Sequence, residues 1–427
     1  METHKQLTIG LFGFGVVGEG LYKVLQQTPS LKATIKKICI KHAGKKRNAP
    51  ASLFTTDKNE LLGDPQINVI VEVIDDAKAA FEIVSTALQN HKDVVSASKK
   101  MIAGNLQALL ELQQKTGQSF LYESAACASI PVIRNLEEYY DNDLLHSIKA
   151  IVNGSTNFIL TKIFEEHLDF KQALLLAQQH GFAESDPGLD IEGYDAVNKW
   201  TFLLTHAYGI VEKPENILFN GIQHIHKADA VVATSRNQQI KLVAEAKKLK
   251  NGKVAAYVLP QFVKQDDHLS FVKNEYNGVV IESGFADKQF FYGKGAGSFP
   301  TASAVLSDIS ALRYQYKYEY KKLYHHKPHE LSNDFFLRVY VSFDDLKYVP
   351  RDRFEWIEEW HSEAERKYLV GVVSFKELKE NSWWKENNTS LILTPEPVIE
   401  DIATRQLKKK SLELAGIVLQ LPVRMVP

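Results

Sequence analysis

The chain has 427 residues, which is enough for two or three domains that each bury a core. Hydrophobic residues make up 44% and charged residues 24%, as in ordinary soluble globular proteins. The formal net charge of −1 excludes a strongly basic or acidic protein, so we expect neither a nucleic-acid nor a membrane partner.

The chain contains no sign of a membrane span or of a secretory signal. No stretch approaches the ~20 consecutive apolar residues that a spanning helix needs, and the first residues, METHKQLTIG, lack the apolar run of a signal peptide. Both cysteines, Cys39 and Cys127, lie in apolar stretches, which favours buried thiols over a disulfide. We therefore expect a cytoplasmic protein.

A short apolar strand at residues 8–12 leads directly into the pattern G-x-G-x-x-G, and an amphipathic helix follows. The first glycine of such a pattern permits a tight turn, the second lets a pyrophosphate approach the backbone, and the third lets helix and strand pack closely. The helix N-terminus adds free N–H groups for phosphate. This context predicts a dinucleotide-binding turn made of six residues, namely Gly13, Phe14, Gly15, Val16, Val17 and Gly18.

Further apolar segments at 35–40, 67–74, 93–97 and 120–122 predict the strands of a doubly wound parallel sheet, a Rossmann domain. Basic residues follow the segment at 35–40, the second strand of the sheet, where an NAD site usually carries a carboxylate. They are Lys41, Lys45, Lys46 and Arg47. A basic pocket suits a 2′-phosphate and favours NADP over NAD, although a solvated basic loop remains the alternative.

The next domain carries two polar segments, 153–159 and 181–200. The second is rich in carboxylates and glycines, a composition that suits a cage for a substrate ammonium. It ends with Asp195 and Lys199, which lie four apart on one face of a predicted helix. An exposed ion pair is the alternative reading of that spacing. A third segment, 292–302, has three glycines in five residues and predicts either a second backbone cradle or an interdomain hinge.

Taken in this order, the segments resemble the homoserine dehydrogenase family from about residue 7 to residue 320. The matching motifs are SASK at 96–99, NGSTNFIL at 153–160, the acidic segment at 181–199 and GKGAGSFPTASAV at 293–305. The resemblance implies NAD(P)-dependent interconversion of aspartate 4-semialdehyde and homoserine, a step of threonine and methionine biosynthesis. Two alternatives stay open: another Rossmann amino-acid or sugar dehydrogenase, and a catalytically silent regulator that binds the cofactor.

The resemblance also implies roles for individual residues. Lys99 and Lys199 would be the acid–base pair, with Asp195 orienting Lys199, and two neighbouring cations should lower each other's proton affinity. The implied substrate-binding residues are Glu184, Asp190, Asn153, Gly154 and Thr156. Besides the glycine-rich turn and Lys41, the implied cofactor-binding residues are Ser98, Lys99, Gly295 and Gly297. A monovalent cation, Na or K, would be held by Glu123, Ala126 and Ala128.

The sequence departs from the family pattern at three places. Asp75 and Asp76 stand where the family usually has two glycines, which places carboxylates beside the expected cofactor. Ser98 replaces an asparagine, and Ala128-Ser129 replaces a pair of glycines near the predicted cation site.

The expected fold class is α/β, with three parts. Residues 1–134, with about 300–322 returning, form the Rossmann domain, and 135–299 form an α+β domain for substrate and for homodimer or homotetramer contacts. Residues 330–427 form a small C-terminal α+β module. There, apolar strands at 335–341, 369–373 and 390–393 with a helical pattern at 354–367 resemble an ACT domain. The family's glycine-containing loop is absent, so amino-acid binding and a structural role are both open.

Overall fold

The N-terminal part of the chain is a parallel sheet with the strand order of a dinucleotide-binding fold. The computed structural model describes residues 6–142, 144–362, 366–386 and 388–401. Six strands are hydrogen-bonded in the order β3-β2-β1-β4-β5-β6. They are β1 (Leu7–Phe12), β2 (Ala33–Cys39), β3 (Phe54–Thr55), β4 (Val69–Glu72), β5 (Asp93–Ser96) and β6 (Phe120–Leu121). All pairings are parallel, so the carboxyl ends of β1, β4 and β5 meet at one edge.

Helices cover both faces of this sheet, which explains why β4 and β5 are buried along their whole length. The helices are α1 (Val16–Gln27), α2 (Asn59–Leu62), α3 (Ala77–Gln89) and α4 (Lys99–Thr116). A later helix, α12 (Ser298–Leu312), returns to pack on α1. A Cβ on Gly20 would lie 2.9 Å from the Ser298 carbonyl oxygen, so the two helices approach this closely only because α1 has glycine there.

Three short elements connect the two sheets: α5 (Glu123–Cys127), α6 (Val132–Arg134) and a π-helical turn at Asn135–Tyr139. The second sheet begins with β7 (Leu145–Ile151) and continues with β8 (Leu218–Phe219), β9 (Gln238–Lys248), β10 (Val254–Lys264), β11 (Tyr276–Ser283) and β12 (Asp287–Lys294). Its helices are α7 (Gly154–Glu165), α8 (Phe170–Gln179), α9 (Gly188–Ile191), α10 (Tyr194–Tyr208) and α11 (Lys227–Ser235). The predicted α/β class and Rossmann domain are confirmed.

The C-terminal strands extend the second sheet. After α13 (Lys321–Tyr324), the chain forms β13 (Phe336–Phe343), β14 (Phe354–His361), β15 (Lys367–Ser374), α14 (Phe375–Glu380) and β16 (Ser390–Ile399). Their order is β16-β13-β15-β14, and β16 pairs with β10. The predicted helix at 354–367 is wrong, because Phe354–His361 is a strand antiparallel to β15.

Three apolar clusters are buried among the described residues, and the smallest, around Val243 and Val272, lies between β9 and the segment before β11. The largest one runs from the first sheet into the helices of the second, while the next lies between β10 and the C-terminal strands and includes Tyr257, Leu337 and Trp384. The domain boundaries and the likeness to an ACT domain stay predictions. No helix in the described part of the chain has the length and apolar character to cross a membrane.

Candidate active site

The glycine-rich turn after β1 needs glycine at two positions and leaves space at a third. Gly13 has a φ of +98°, and a Cβ there would lie 2.7 Å from the Val73 carbonyl oxygen. A Cβ on Gly18 would overlap the Gly13 carbonyl oxygen. Gly15, in contrast, faces open space, with no atom within 4 Å of an added Cβ. The turn therefore leaves room for a ligand at the N-terminus of α1.

The other residues of the turn differ in exposure. Phe14 packs edge-on against Tyr22 and Phe54, whereas Val16 is 69% exposed and Val17 is partly buried. The turn is thus anchored on one side by aromatic packing and open on the other.

We expect Gly15→Val to weaken dinucleotide binding without unfolding the protein. The added side chain meets no protein atom but occupies the space over the turn, so the Kd should rise by about tenfold or more, equivalent to ~1.4 kcal/mol. Calorimetric titration and thermal unfolding measure the two effects. Gly18→Val is the matched control, because its overlap with backbone should lower Tm. An unchanged Kd for a folded Gly15→Val protein would contradict this site.

A basic cleft lies beside the turn, after β2. Its volume is 640 Å³, and its lining includes Lys45, Lys46 and Arg47. The Arg47 guanidinium is fixed by hydrogen bonds to the carbonyl oxygens of Lys45 and His42, each 2.6 Å long. Lys41 is exposed and does not line this cleft.

The carboxylates at 75 and 76 have different positions. Asp76 is the N-cap of α3, where Oδ1 accepts hydrogen bonds from the backbone N–H groups of Lys78 and Ala79, both 3.1 Å long. A capping carboxylate is stabilised by the positive end of its helix. Asp75 is exposed at the same edge of the sheet. Only one of the two carboxylates is therefore engaged in capping a helix.

Asp195 joins two lysines that come from different domains. Lys99 begins α4 in the Rossmann domain, and its Nζ lies 3.1 Å from Oδ1 of Asp195. Lys199, one turn further along α10, has its Nζ 2.7 Å from Oδ2. Lys199 also donates a 2.6 Å hydrogen bond to the Val152 carbonyl oxygen. The Asp195 and Lys199 side chains are only 10% and 7% exposed, while Lys99 is 46% exposed, so the site opens on the Lys99 side.

The charges in this cluster set its protonation states. Asp195 raises the pKa of Lys99 above its ordinary value, although burial opposes this. The expectation of a lowered proton affinity is therefore wrong for Lys99, because the Asp195 carboxylate has the largest effect on its pKa and raises it. Burial would raise the pKa of Asp195, but Lys199 and Lys99 hold it well below its usual range. The pKa of Asp190 is raised by burial and by Asp195.

Asn153 connects the lysine cluster to the acidic segment. Its Nδ2 donates to Oδ1 of Asp190 at 2.7 Å and to Oδ2 of Asp195 at 2.9 Å. Its Oδ1 accepts from the Thr156 backbone N–H at 2.8 Å, which makes Asn153 the N-cap of α7. Gly154 is required beside it, since a Cβ would lie 2.6 Å from the Glu275 carbonyl oxygen. Four predicted substrate-binding residues thus lie together.

Glu184 lies apart from this hydrogen-bonded cluster. It is exposed in the loop that precedes α9, and its backbone carbonyl accepts a 2.9 Å hydrogen bond from the Gln178 side chain. Among the described residues, the Asn153–Asp190–Asp195 contacts do not include the Glu184 carboxylate.

The glycine loop before α12 bridges the turn and the lysine cluster. A Cβ on Gly295 would overlap the Asn277 side chain, and Gly297 has a φ of +117°. Asn277 donates a 3.1 Å hydrogen bond to the Val152 carbonyl oxygen, the acceptor of Lys199. Ser298 Oγ donates to the Val16 carbonyl oxygen at 2.8 Å. The positions of Asn277 and the Val152 carbonyl beside Lys199 were not predicted from the sequence, because neither residue lies in a motif.

Ser98 is the N-cap position of α4, and its backbone N–H donates to Ser96 Oγ at 3.2 Å. Ser96 in turn donates to the buried Glu72 carboxylate, whose pKa burial raises to about 7. This places Lys99 at the end of a fixed chain of hydrogen bonds from β4.

Glu123, the side chain of the predicted cation site, caps α6. Its two carboxylate oxygens accept hydrogen bonds from the backbone N–H groups of Ile133 at 2.8 Å and Arg134 at 2.9 Å. Burial raises the pKa of Glu123 to about 8. Ala126 is buried in α5, and Ala128 turns the chain after it with a φ of +42°. These observations leave the cation a prediction.

Two family models match the chain. The model for the homoserine dehydrogenase NAD-binding domain matches residues 13–123, and the model for homoserine dehydrogenase matches residues 131–310. Together they contain the glycine-rich turn, both lysines and the glycine loop before α12.

Individual relatives agree with the family models. Homoserine dehydrogenase of Bacillus subtilis is 33% identical over 72% of this chain and 73% of its own length. The Synechocystis homoserine dehydrogenase is 34% identical over 70% and 72%, respectively.

Solved structures extend the similarity to almost the whole chain. A homoserine dehydrogenase from Thiobacillus denitrificans superposes with a TM-score of 0.77 and 25% identity, over 92% of this chain and 98% of that one. A hyperthermophilic archaeal homoserine dehydrogenase in complex with NADPH gives a TM-score of 0.62 and 27% identity, over 73% and 99%. The chain belongs to the homoserine dehydrogenase family.

Proposed function

We propose that the protein catalyses the reversible, NAD(P)-dependent oxidation of homoserine to aspartate 4-semialdehyde. The observation that carries the proposal is the Asp195 carboxylate, which holds Lys99 and Lys199 from two domains within 3.1 Å and 2.7 Å of its oxygens. Oxidation of this alcohol removes a hydride from C4 and a proton from the hydroxyl oxygen. Bound nicotinamide supplies the hydride acceptor, so the chain must supply a group that takes the proton.

Lys199 is the proposed proton-transfer group. Its Nζ is fixed by Asp195 and by the Val152 carbonyl, so the remaining N–H direction is free for the substrate oxygen. In the reducing direction, Lys199 donates a proton to the oxygen as negative charge develops on it. Lys99, held as an ammonium by Asp195, places a second positive charge beside the same oxygen.

Substrate recognition is assigned to the polar residues around this pair. The Asp190 carboxylate, oriented by Asn153, is the proposed partner of the homoserine ammonium. Gly154 and Thr156 bring the N-terminus of α7 to the same place, where its backbone N–H groups suit the substrate carboxylate. Glu184, in the exposed loop before α9, would contact the polar end of the substrate from that loop.

NADP is the preferred cofactor in this proposal. The basic cleft after β2 suits a 2′-phosphate, and the structurally similar archaeal enzyme is described in complex with NADPH. The pyrophosphate would lie at the open Gly15, in the turn that Gly13 and Gly18 shape, while Ser98, Gly295 and Gly297 would lie along the nicotinamide end. The Asp76 carboxylate is engaged by the backbone N–H groups at the start of α3, whose positive end offsets its charge.

Reversal of charge in the basic cleft should change cofactor preference. We expect the double variant Lys45→Glu/Lys46→Glu to raise the KM for NADP by about tenfold, which corresponds to ~1.4 kcal/mol, while the KM for NAD stays within about twofold. Initial rates with each cofactor at saturating homoserine measure this. Lys115→Glu, an exposed change near the C-terminus of α4, is the control. Equal loss with both cofactors would place the 2′-phosphate elsewhere.

A substrate panel tests the reaction itself. Formation of reduced cofactor should depend on homoserine and be absent with aspartate, serine and polyols. Turnover of one of those compounds instead would support another amino-acid or sugar dehydrogenase. Binding of NADP without turnover of any compound would support the silent regulator.

Two further family features are part of the proposal. A sodium or potassium ion at Glu123 and the carbonyls of Ala126 and Ala128 would offset a carboxylate buried at the domain joint. A homodimer or homotetramer would cover exposed aromatic residues of the second domain, such as Phe285, 90% exposed, and Phe271, 64% exposed.

A further inference from the structure

Lys241 is a buried lysine in the middle of β9, outside the lysine cluster. Only 1% of its surface is exposed. Its Nζ donates hydrogen bonds to the Val272 carbonyl oxygen at 2.6 Å and to Oδ1 of Asn157 at 3.1 Å. Both acceptors are neutral oxygens, so the two contacts of the buried amine are hydrogen bonds and not ion pairs. Burial lowers the pKa of Lys241 to about 7, and the neutral amine still has two N–H groups for its two acceptors.

The contact with Lys241 determines which way the Asn157 amide faces. Because Oδ1 accepts from Lys241, Nδ2 is the amide atom that faces the neighbouring backbone carbonyls. The two N–H groups of Nδ2 are shared among three carbonyl oxygens of one segment, those of Val272 at 3.2 Å, Asn274 at 2.9 Å and Tyr276 at 3.2 Å. This segment, residues 272–277, is therefore held along α7 by Asn157, whose orientation depends on Lys241, and by Lys241 itself at the Val272 carbonyl.

A second side chain of α7 supports the same segment. Thr161 Oγ1 accepts a 3.0 Å hydrogen bond from the Asn274 backbone N–H, where the chain has a φ of +54°. One turn before Asn157, the Glu275 carbonyl packs against Gly154. The segment thus follows α7 to its N-terminus, which lies at the proposed substrate site.

The segment ends at the group that fixes Lys199. Asn277 is fully buried and donates to the Val152 carbonyl oxygen at 3.1 Å, and Lys199 donates to that same oxygen at 2.6 Å. On its other side the Asn277 side chain meets Gly295, so the glycine loop also depends on where Asn277 lies.

We propose that Lys241 is a positioning residue for Lys199, acting through Asn157, the 272–277 segment and Asn277. The inference rests on the proposed dehydrogenase function. Without the Lys241 donor, Asn157 Oδ1 and the Val272 carbonyl oxygen each lose a hydrogen bond, so the segment is held less firmly and Asn277 fixes the Val152 carbonyl less closely. Lys199 then reaches the substrate oxygen in a less favourable geometry, which slows proton transfer more than it weakens binding.

The test compares Lys241→Met, which keeps the length of the side chain without its N–H groups, with Lys241→Gln, which keeps a donor. We expect Lys241→Met to lower kcat by about tenfold, with the KM for homoserine and the Kd for NADP within about threefold of wild type. The deuterium isotope effect with C4-deuterated homoserine should rise, because chemistry becomes slower than product release. Lys241→Gln should recover kcat to within about threefold.

Val339→Ala is the control for loss of packing, since Val339 is fully buried in β13 within the C-terminal core, apart from the 272–277 segment. It should lower Tm without changing kcat or the isotope effect. If Lys241→Met does the same, Lys241 is structural only and the inference is overturned. If Lys241→Met does not fold, Thr161→Val tests the same 272–277 segment, because Thr161 holds it at Asn274. An unchanged kcat and isotope effect in that variant would overturn the inference.

The wild-type protein separates this inference from the function on which it rests. Absence of homoserine-dependent turnover by wild type would sink the proposed function. In that case, a crystal structure of Lys241→Met decides the inference: displaced Asn277 and Lys199 side chains support it, and unchanged contacts with Val152 overturn it.

Discussion

Lys199→Met is expected to lower kcat by about 10³-fold while the protein still binds NADP. Methionine fills the buried position of the Lys199 stem but carries no proton, so loss of the proton-transfer group is separated from loss of packing. The KM for homoserine should change little, since Asp190 and the N-terminus of α7 remain. Initial rates of reduced-cofactor formation and a fluorescence titration with NADPH measure kcat and Kd.

Lys162→Met is the matched control for this variant. Lys162 forms a surface pair with Glu166 on α7, and exposed pairs contribute little. Its kcat should equal that of wild type. A Lys199→Met protein with wild-type kcat would exclude Lys199 from the chemistry.

Asp195→Asn is expected to impair both catalysis and stability, because it keeps the shape of the side chain but removes the anion shared by two lysines. Lys199 would then be buried without its ion-pair partner, at a cost of about 3 kcal/mol in the free energy of unfolding. The pKa of Lys99 should fall, since Asp195 is the main cause of its increase. We expect kcat/KM to drop by about 10²-fold.

The pH dependence of stability gives an independent measure of the same carboxylate. The folded-state pKa of Asp195 is lowered, so its contribution is complete above the unfolded pKa of about 4 and is lost as the pH falls below it. Urea unfolding between neutral and acidic pH should therefore show a smaller acid loss for Asp195→Asn than for wild type. Asp169→Asn, which leaves a good N-cap on exposed α8, is the control. Equal acid loss in wild type and Asp195→Asn would contradict this assignment.

The parts of the fold that follow from local pattern were predictable from the sequence. Gly13 and Gly18 are placed by steric contacts within one strand–turn–helix unit, so their spacing alone carries the information. The Asp195–Lys199 pair is likewise local, because both residues lie one turn apart on α10. The proximity of Lys99 to this pair could be predicted only from the likeness to the family, because Lys99 lies in another domain.

The strand β14 was predicted as a helix because its apolar residues are ambiguous. Phe354 with Ile357 and Trp356 with Trp360 have the helical spacings of three and four residues, but Phe354, Trp356 and Trp360 equally alternate along a strand. The pairing of β14 with β15 decides between these readings. That contact is tertiary, and periodicity in a short segment does not reveal it.

The remaining site residues could not be found from motifs, because their role depends on backbone groups and distant segments. Asn277 meets Val152 across 125 positions of sequence, and the acceptor is a carbonyl that every residue has. Lys241 lies outside every motif, and the sequence does not show that its side chain is buried. Glu184 shows the reverse case, since a residue within the matching motif lies outside the hydrogen-bonded cluster.

Direct hydride transfer from homoserine to the nicotinamide is tested by following the hydrogen that homoserine loses. Wild-type protein should be incubated with NADP and homoserine deuterated at C4, and the reduced cofactor analysed by NMR. We expect deuterium at C4 of the nicotinamide ring in wild type, and almost none in the same time with Lys199→Met. Reduced cofactor without deuterium, or no reduction by wild type with NADP or NAD, would contradict direct hydride transfer from homoserine at this site.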